Sequence, residues 1–158
     1  MTATRVRIVQ LLTTLALALG AATPALAGGD WNDKGIKWRT YEDGLAEAKK
    51  SKKPVLLIFY TEWCPHCTNY SKIFHDPEVI KKANQFVMIR IDNDKNQELS
   101  KKYALDGGYI PRTFFLSSSG DVDAEIHAPR DKFKYFYDER NPQSVLAAMD
   151  AALKKLKN

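Results

Sequence analysis

Cysteine is scarce in this chain: 158 residues contain two, Cys64 and Cys67, separated only by Pro65 and His66. A scaffold stapled by several disulfides is therefore excluded. A bridge between these two would close so small a loop that the chain-entropy model assigns it only about 2 kcal/mol. A structural zinc site is also poorly served. It needs four ligands, usually from two paired motifs, and one pair is present; no metal is expected. The CxxCH spacing of haem attachment is missing, because Thr68 follows Cys67. No block of lysine and arginine stands out from a surface of mixed sign, so nucleic acid is not an expected partner. Internal repeats and low-complexity tracts are lacking as well. The apolar run from Ile8 to Leu19 is shorter than the ~20 residues a membrane-spanning helix needs.

That run does fit another pattern. Residues 1–27 begin with Arg5 and Arg7, carry no acid, and end Ala25-Leu26-Ala27. A basic start, a short apolar middle and an A-x-A end are the parts of a secretory signal peptide, with cleavage expected after Ala27. Its removal lowers the net charge from +5 to +3 and leaves no stable membrane insertion. The expected organisation is a signal peptide at 1–27 and one domain at 28–158, periplasmic or secreted. The C-terminal KKLKN is not a KDEL-type retrieval signal, so retention in the reticulum is not expected.

The domain reads as alternating helices and strands. Arg39 to Lys53 has amphipathic spacing, with Thr40 and Asp43 as a T-x-x-D start, and Pro54 ends it. PVLLIFY, Pro54 to Tyr60, is a continuous apolar run of strand formers, as in a sheet covered on both faces. Thr68 to His75 has helical spacing, and Asp76-Pro77 opens another short helix through Lys82. FVMIRID, Phe86 to Asp92, is a second buried strand, followed by a polar helix from Lys95 to Tyr103. RTFFLSS predicts a third strand, and VDAEIH, Val122 to His127, a half-exposed one by its alternation. FKYFY, Phe133 to Tyr137, is a candidate edge strand. A terminal helix opens at Asn141-Pro142, with Val145, Leu146, Met149, Leu153 and Leu156 on one face. Trp31 and Trp38 are expected to pack against the first helix.

A CxxC that directly follows a buried strand and opens a helix has a chemical use. Only the thiolate attacks a disulfide, and a free thiol has a pKa of ~8.5. Unpaired N–H groups and the macrodipole at a helix N-terminus favour negative charge. Cys64 holds that position and is the candidate nucleophile; Cys67, one turn on, is placed to resolve a mixed disulfide. Pro65 suits the first helical turn, and His66 adds positive charge beside the sulfurs, which stabilises the reduced form and strengthens the oxidant.

The motif WCPHC resembles the active-site signature of the thioredoxin superfamily, and Pro-His is the dipeptide of its strongly oxidising bacterial member. KWRTYEDGLAEAKKSKKP, QFVMIRI, DGGYIPRTFFLSSSG and KYFY are further similar to the small endoplasmic-reticulum thioredoxin-domain proteins of the anterior gradient group. These segments span most of residues 28–158, and DGGYIPR is the most specific. The resemblance implies an α/β thioredoxin fold, a central mixed β-sheet flanked by α-helices. It also implies a cis proline at Pro111, with Tyr109 and Ile110 on the loop that binds an extended peptide, and Trp63 beside the sulfurs. One departure matters. The family's buried acid, six positions before the first cysteine, is replaced by Ile58.

Together these readings predict an exported thiol–disulfide oxidoreductase, leaning oxidant or isomerase, with no cofactor beyond the Cys64–Cys67 pair. Its partners are protein thiols and disulfides. With one cysteine pair, it also needs a separate redox protein or a small thiol to exchange electrons. Two alternatives stand beside it: a reductant fed by a membrane donor, and a peptide-binding, chaperone-like protein with secondary redox activity.

Overall fold

The computed structural model describes residues 29–156, so the expected leader and its cleavage point lie outside the described residues. Four strands form the sheet: β1 (Trp38–Arg39), β2 (Val55–Tyr60), β3 (Val87–Asp92) and β4 (Arg112–Leu116), in the order β1-β3-β2-β4. β1 and β2 run parallel to β3, and β4 runs antiparallel to β2. The sheet is therefore mixed, and β2 is central.

Alternation along β2 divides the core. Leu56 and Ile58 face one layer, where they join Met88, Phe115 and the helices α2 (Pro65–Ser71), α3 (Pro77–Ala83) and α5 (Gln143–Leu156). Val55, Leu57 and Phe59 face the other, joining Ile89, Phe114, α1 (Tyr41–Ser51) and Tyr103 at the end of α4 (Gln97–Lys102). Covering both faces is what a run without polar residues requires. Among the described residues, no helix is long and apolar enough to cross a membrane.

Local chemistry fixes the helix ends. The Thr40 hydroxyl accepts the Asp43 N–H at 3.3 Å, and Lys52 leaves α1 in the left-handed region at φ 59°. Asp76 caps α3 by accepting from the N–H groups of Glu78 and Val79, with Pro77 at the first helical position. α2 continues through Lys72–His75 as a single 3-10 turn rather than as regular helix.

Four expectations are corrected. The first helix starts at Tyr41, because Trp38 and Arg39 pair with Met88 and Ile89 as an edge strand. Trp31 and Trp38 turn away from that helix. Trp31 packs on Tyr60, Tyr70 and Phe74, Trp38 on Phe74, and the Arg90 guanidinium lies over the rings of Trp31, Trp38 and Tyr60. Val122–His127 forms no strand beyond one bridge between Val122 and Leu116. Asp123 accepts the Glu125 N–H on its side chain and the Ile126 N–H on its carbonyl, turning the chain where a ladder would continue. FKYFY is likewise a wrap and not a strand. Phe133 sits at φ 55°, and Tyr135 and Tyr137 enter opposite core layers around the edge of β4.

α1 meets the sheet through Gly44, where an added Cβ would overlap the Ile89 side chain. Helix propensity favours alanine there by ~1 kcal/mol, but overpacking costs about 1–3 kcal/mol. Gly44→Ala is expected to lower the unfolding free energy by about 1 kcal/mol in urea titration. In an Ile89→Val background part of that loss should return.

Candidate active site

β2 delivers its last residue, Tyr60, to the rim of the sheet, and the chain turns through Thr61 to Trp63 into α2. Cys64 is the N-cap of that helix, extended at φ −83° and ψ 114°. Its sulfur does the work a serine oxygen does elsewhere: the Cys67 N–H donates to Cys64 Sγ at 3.2 Å. On its other side the Cys64 thiol lies 3.9 Å from the Ile110 carbonyl oxygen, which accepts its proton. Both thiols are free. Cys64 is 4% exposed, and Cys67 is fully buried among Tyr70, Ile58 and their neighbours.

Burial pushes the Cys67 thiol up from its ordinary range. The hydrogen bond with Cys64 and the negative charge of Glu139 add to that rise, and a Thr61 main-chain hydrogen bond opposes it. Ile58 stands fully buried on the same side of the sheet, so β2 offers no carboxylate to the pair.

The peptide bond between Ile110 and Pro111 is cis. The loop that carries it is held from both ends. Tyr109 donates its hydroxyl to Asp106 at 2.6 Å and accepts the Tyr135 N–H at 3.0 Å, and its ring meets Phe133 edge-on at 4.9 Å. Arg112, the first residue of β4, is fully buried with no carboxylate against it. Its guanidinium instead donates to the carbonyls of Ser100, Tyr103 and Gly107, to Asn93 Oδ1 and to Ser100 Oγ, and lies over the Phe59 ring. One nitrogen, Nε, has no partner. A buried cation satisfied by carbonyl dipoles is costly in isolation and persists because it ties α4 and the Gly107 turn to the strand.

His66 meets a residue that no local sequence signal links to it. Its side chain is 63% exposed, and Nδ1 donates to Glu139 Oε2 at 2.7 Å. Asn69, one turn further along α2, donates to Glu139 Oε1 at 3.3 Å, and Phe136 packs on the imidazole. The Glu139 side chain is only 11% exposed. Trp63 projects into solvent, 69% exposed, with its indole N–H on Asp94 at 2.7 Å. Pro65 occupies the first turn of α2. The fold thus brings Cys64, Cys67, Ile110 and Pro111 together, ties His66 to the segment before α5, and leaves Trp63 on the open side.

Sequence reasoning missed Glu139 and Arg112. Arg112 lay inside the DGGYIPR segment as an unassigned residue. Glu139 sits in an acidic-basic run, DER, with no local signal that it reaches α2.

Known proteins place the chain. A Thioredoxin-like family model matches residues 37–118. The human anterior gradient protein 2 homolog is 33% identical over 135 residues, covering 85% of this chain and 75% of that protein. Among solved structures, a disulphide isomerase from Xylella fastidiosa Temecula1 matches with TM-score 0.50 and 29% identity, covering 72% of this chain and 86% of the other. A thioredoxin from Thermus thermophilus matches with TM-score 0.58 and 22% identity, over 77% of this chain and 89% of the other.

The raised Cys67 thiol predicts an order of reactivity. In single-cysteine variants treated with iodoacetamide between about pH 6 and 9, Cys64 should be alkylated and Cys67 should remain a thiol, as read by mass spectrometry. Comparable rates at both positions would contradict the raised Cys67 thiol.

Proposed function

The chain belongs to the thioredoxin-like family, and on that premise we propose that it is an exported thiol–disulfide oxidoreductase acting on cysteines of other proteins, leaning oxidant or isomerase. The observation that carries this reading is the Cys64 sulfur at the mouth of α2, receiving the Cys67 N–H and lying against the Ile110 carbonyl. Burial disfavours a sulfur anion at Cys67, which leaves Cys64, at the helix mouth, as the attacking sulfur.

In the oxidising direction a substrate thiolate attacks Cys64 of the Cys64–Cys67 disulfide. A bond forms between the substrate sulfur and Cys64, the old bond breaks, and Cys67 leaves as a thiolate that takes up a proton. A second substrate thiolate then attacks the substrate sulfur of the mixed disulfide and releases Cys64. Two electrons and two protons pass from the substrate dithiol to this protein. The reverse sequence reduces a substrate, with Cys67 resolving. An isomerase stops at the mixed disulfide while the substrate rearranges. No cofactor beyond the cysteine pair takes part, and a separate redox protein or small thiol resets it.

The substrate's extended backbone would lie along Tyr109, Ile110 and Pro111, pairing with main-chain groups at the Ile110 turn. Pro65 pre-forms the first turn of α2 in this reading, and the weight of His66 in the poise of the pair depends on what holds its imidazole. Export rests on residues 1–27 and on the survival of disulfides outside the cytosol.

A second reading has its own observation. Trp63, Leu105 and Phe133 are large apolar side chains left exposed, which suits a surface that holds unfolded polypeptide without chemistry. One pair of assays separates the two. The Cys64→Ala, Cys67→Ala variant is expected to lose insulin reduction and oxidative refolding of a reduced protein alike. If it keeps those activities the cysteines are not the centre, and if the wild type shows neither while suppressing client aggregation, the chaperone reading takes its place.

A further inference from the structure

The notable neighbour of the cysteine motif is a carboxylate that comes from 73 residues away in sequence, on the segment leading into α5. His66 and Asn69, three apart on α2, present their donors to its two oxygens at 2.7 and 3.3 Å. Phe136 closes over the imidazole from the same segment. Nearly buried, Glu139 is screened little by water. Burial chiefly raises the Cys67 thiol, and the charge of Glu139 adds to that rise.

We propose that Glu139 is a positioning residue of the redox centre, which commits the Nδ1–H of His66 to a hydrogen bond and keeps the Cys64–Cys67 couple a weaker oxidant than a free Pro-His dipeptide would make it. The inference rests on the disulfide-exchange reading above and supplies what that reading leaves open, the strength of the couple. A pair is a strong oxidant when its reduced form is stabilised, which means when thiolate is favoured. A negative charge near the sulfurs disfavours thiolate. The Nδ1–H of His66, given to a carboxylate, is not available to a sulfur, and Nε2 of that neutral tautomer is an acceptor. Both effects lower the potential, and both end when the carboxylate is removed. The device sits on the α5 side of α2, whereas the Ile58 position, where the family carries its acid, is apolar.

The test is the equilibrium of the full chain with glutathione: disulfide plus two reduced glutathione giving dithiol plus oxidised glutathione, read by tryptophan fluorescence and by alkylation shift. Glu139→Ala is expected to move that equilibrium about tenfold toward the dithiol, ~30 mV for a two-electron couple. Glu139→Gln keeps an acceptor for His66 without the charge and should move it the same way by less. That second variant carries the test if the alanine form loses its near-ultraviolet dichroism. His66→Ala should change the wild-type constant by less than about twofold but lower that of Glu139→Ala by more than about threefold, since His66 is freed only there. An unchanged or lowered constant in the folded Glu139 variants would overturn the proposal. So would a His66→Ala effect equally large in both backgrounds. Failure of the wild type to equilibrate at all would instead remove the disulfide-exchange reading on which the inference rests.

Discussion

The arrangement turns on one weak contact: the Cys67 N–H pointing at the Cys64 sulfur, 3.2 Å away, at the first turn of α2. A helix N-terminus leaves donors unpaired, and here a thiol takes the place of the usual oxygen cap. The same geometry that closes the helix places the Cys64 sulfur at its mouth, with Cys67 fully buried behind it. Everything around it serves to hold that turn. β2, covered on both faces, brings the chain to the rim, and Pro65 fits the first turn because it has no N–H to lose.

The opposing wall is held by a different device. Arg112 reaches back from β4 to three carbonyls and to the side chains of Asn93 and Ser100, and these fix the loop whose Ile110 carbonyl faces Cys64. Without a carboxylate beside it, the guanidinium depends on every one of those dipoles being in place. Loop, α4 and strand are thereby tied together through one side chain. The 133–137 wrap adds to this through Tyr109, which bonds both Asp106 and the Tyr135 main chain.

Much of this could be read in the sequence because the signals were local. PVLLIFY had no polar face to expose, and Asp76-Pro77 specifies a helix start through its own side chain. The WCPHC motif, at the junction of strand and helix, declared its place in both. What was hidden depended on distance. β1 is two residues long and exists only because β3 lies beside it. VDAEIH has the alternation of a strand, but Asp123 captures the donors a ladder would need. Trp31 and Trp38 carry no mark of which sheet face they will take. The same is true of the site: Cys64, Cys67 and Pro111 were legible from spacing and resemblance. Glu139 was not, because its meeting with His66 is made by the path of the chain between β4 and α5.

The account stands on Cys64 and Cys67 forming a reversible redox couple of moderate oxidising strength. The most direct measurement is the reduction potential of the wild-type protein, titrated against glutathione. A single two-electron transition near ~−180 mV, the range of disulfide isomerases, is the predicted result. No transition, or one near the ~−270 mV of thioredoxin, would contradict it, the first by removing the couple and the second by making the protein a reductant.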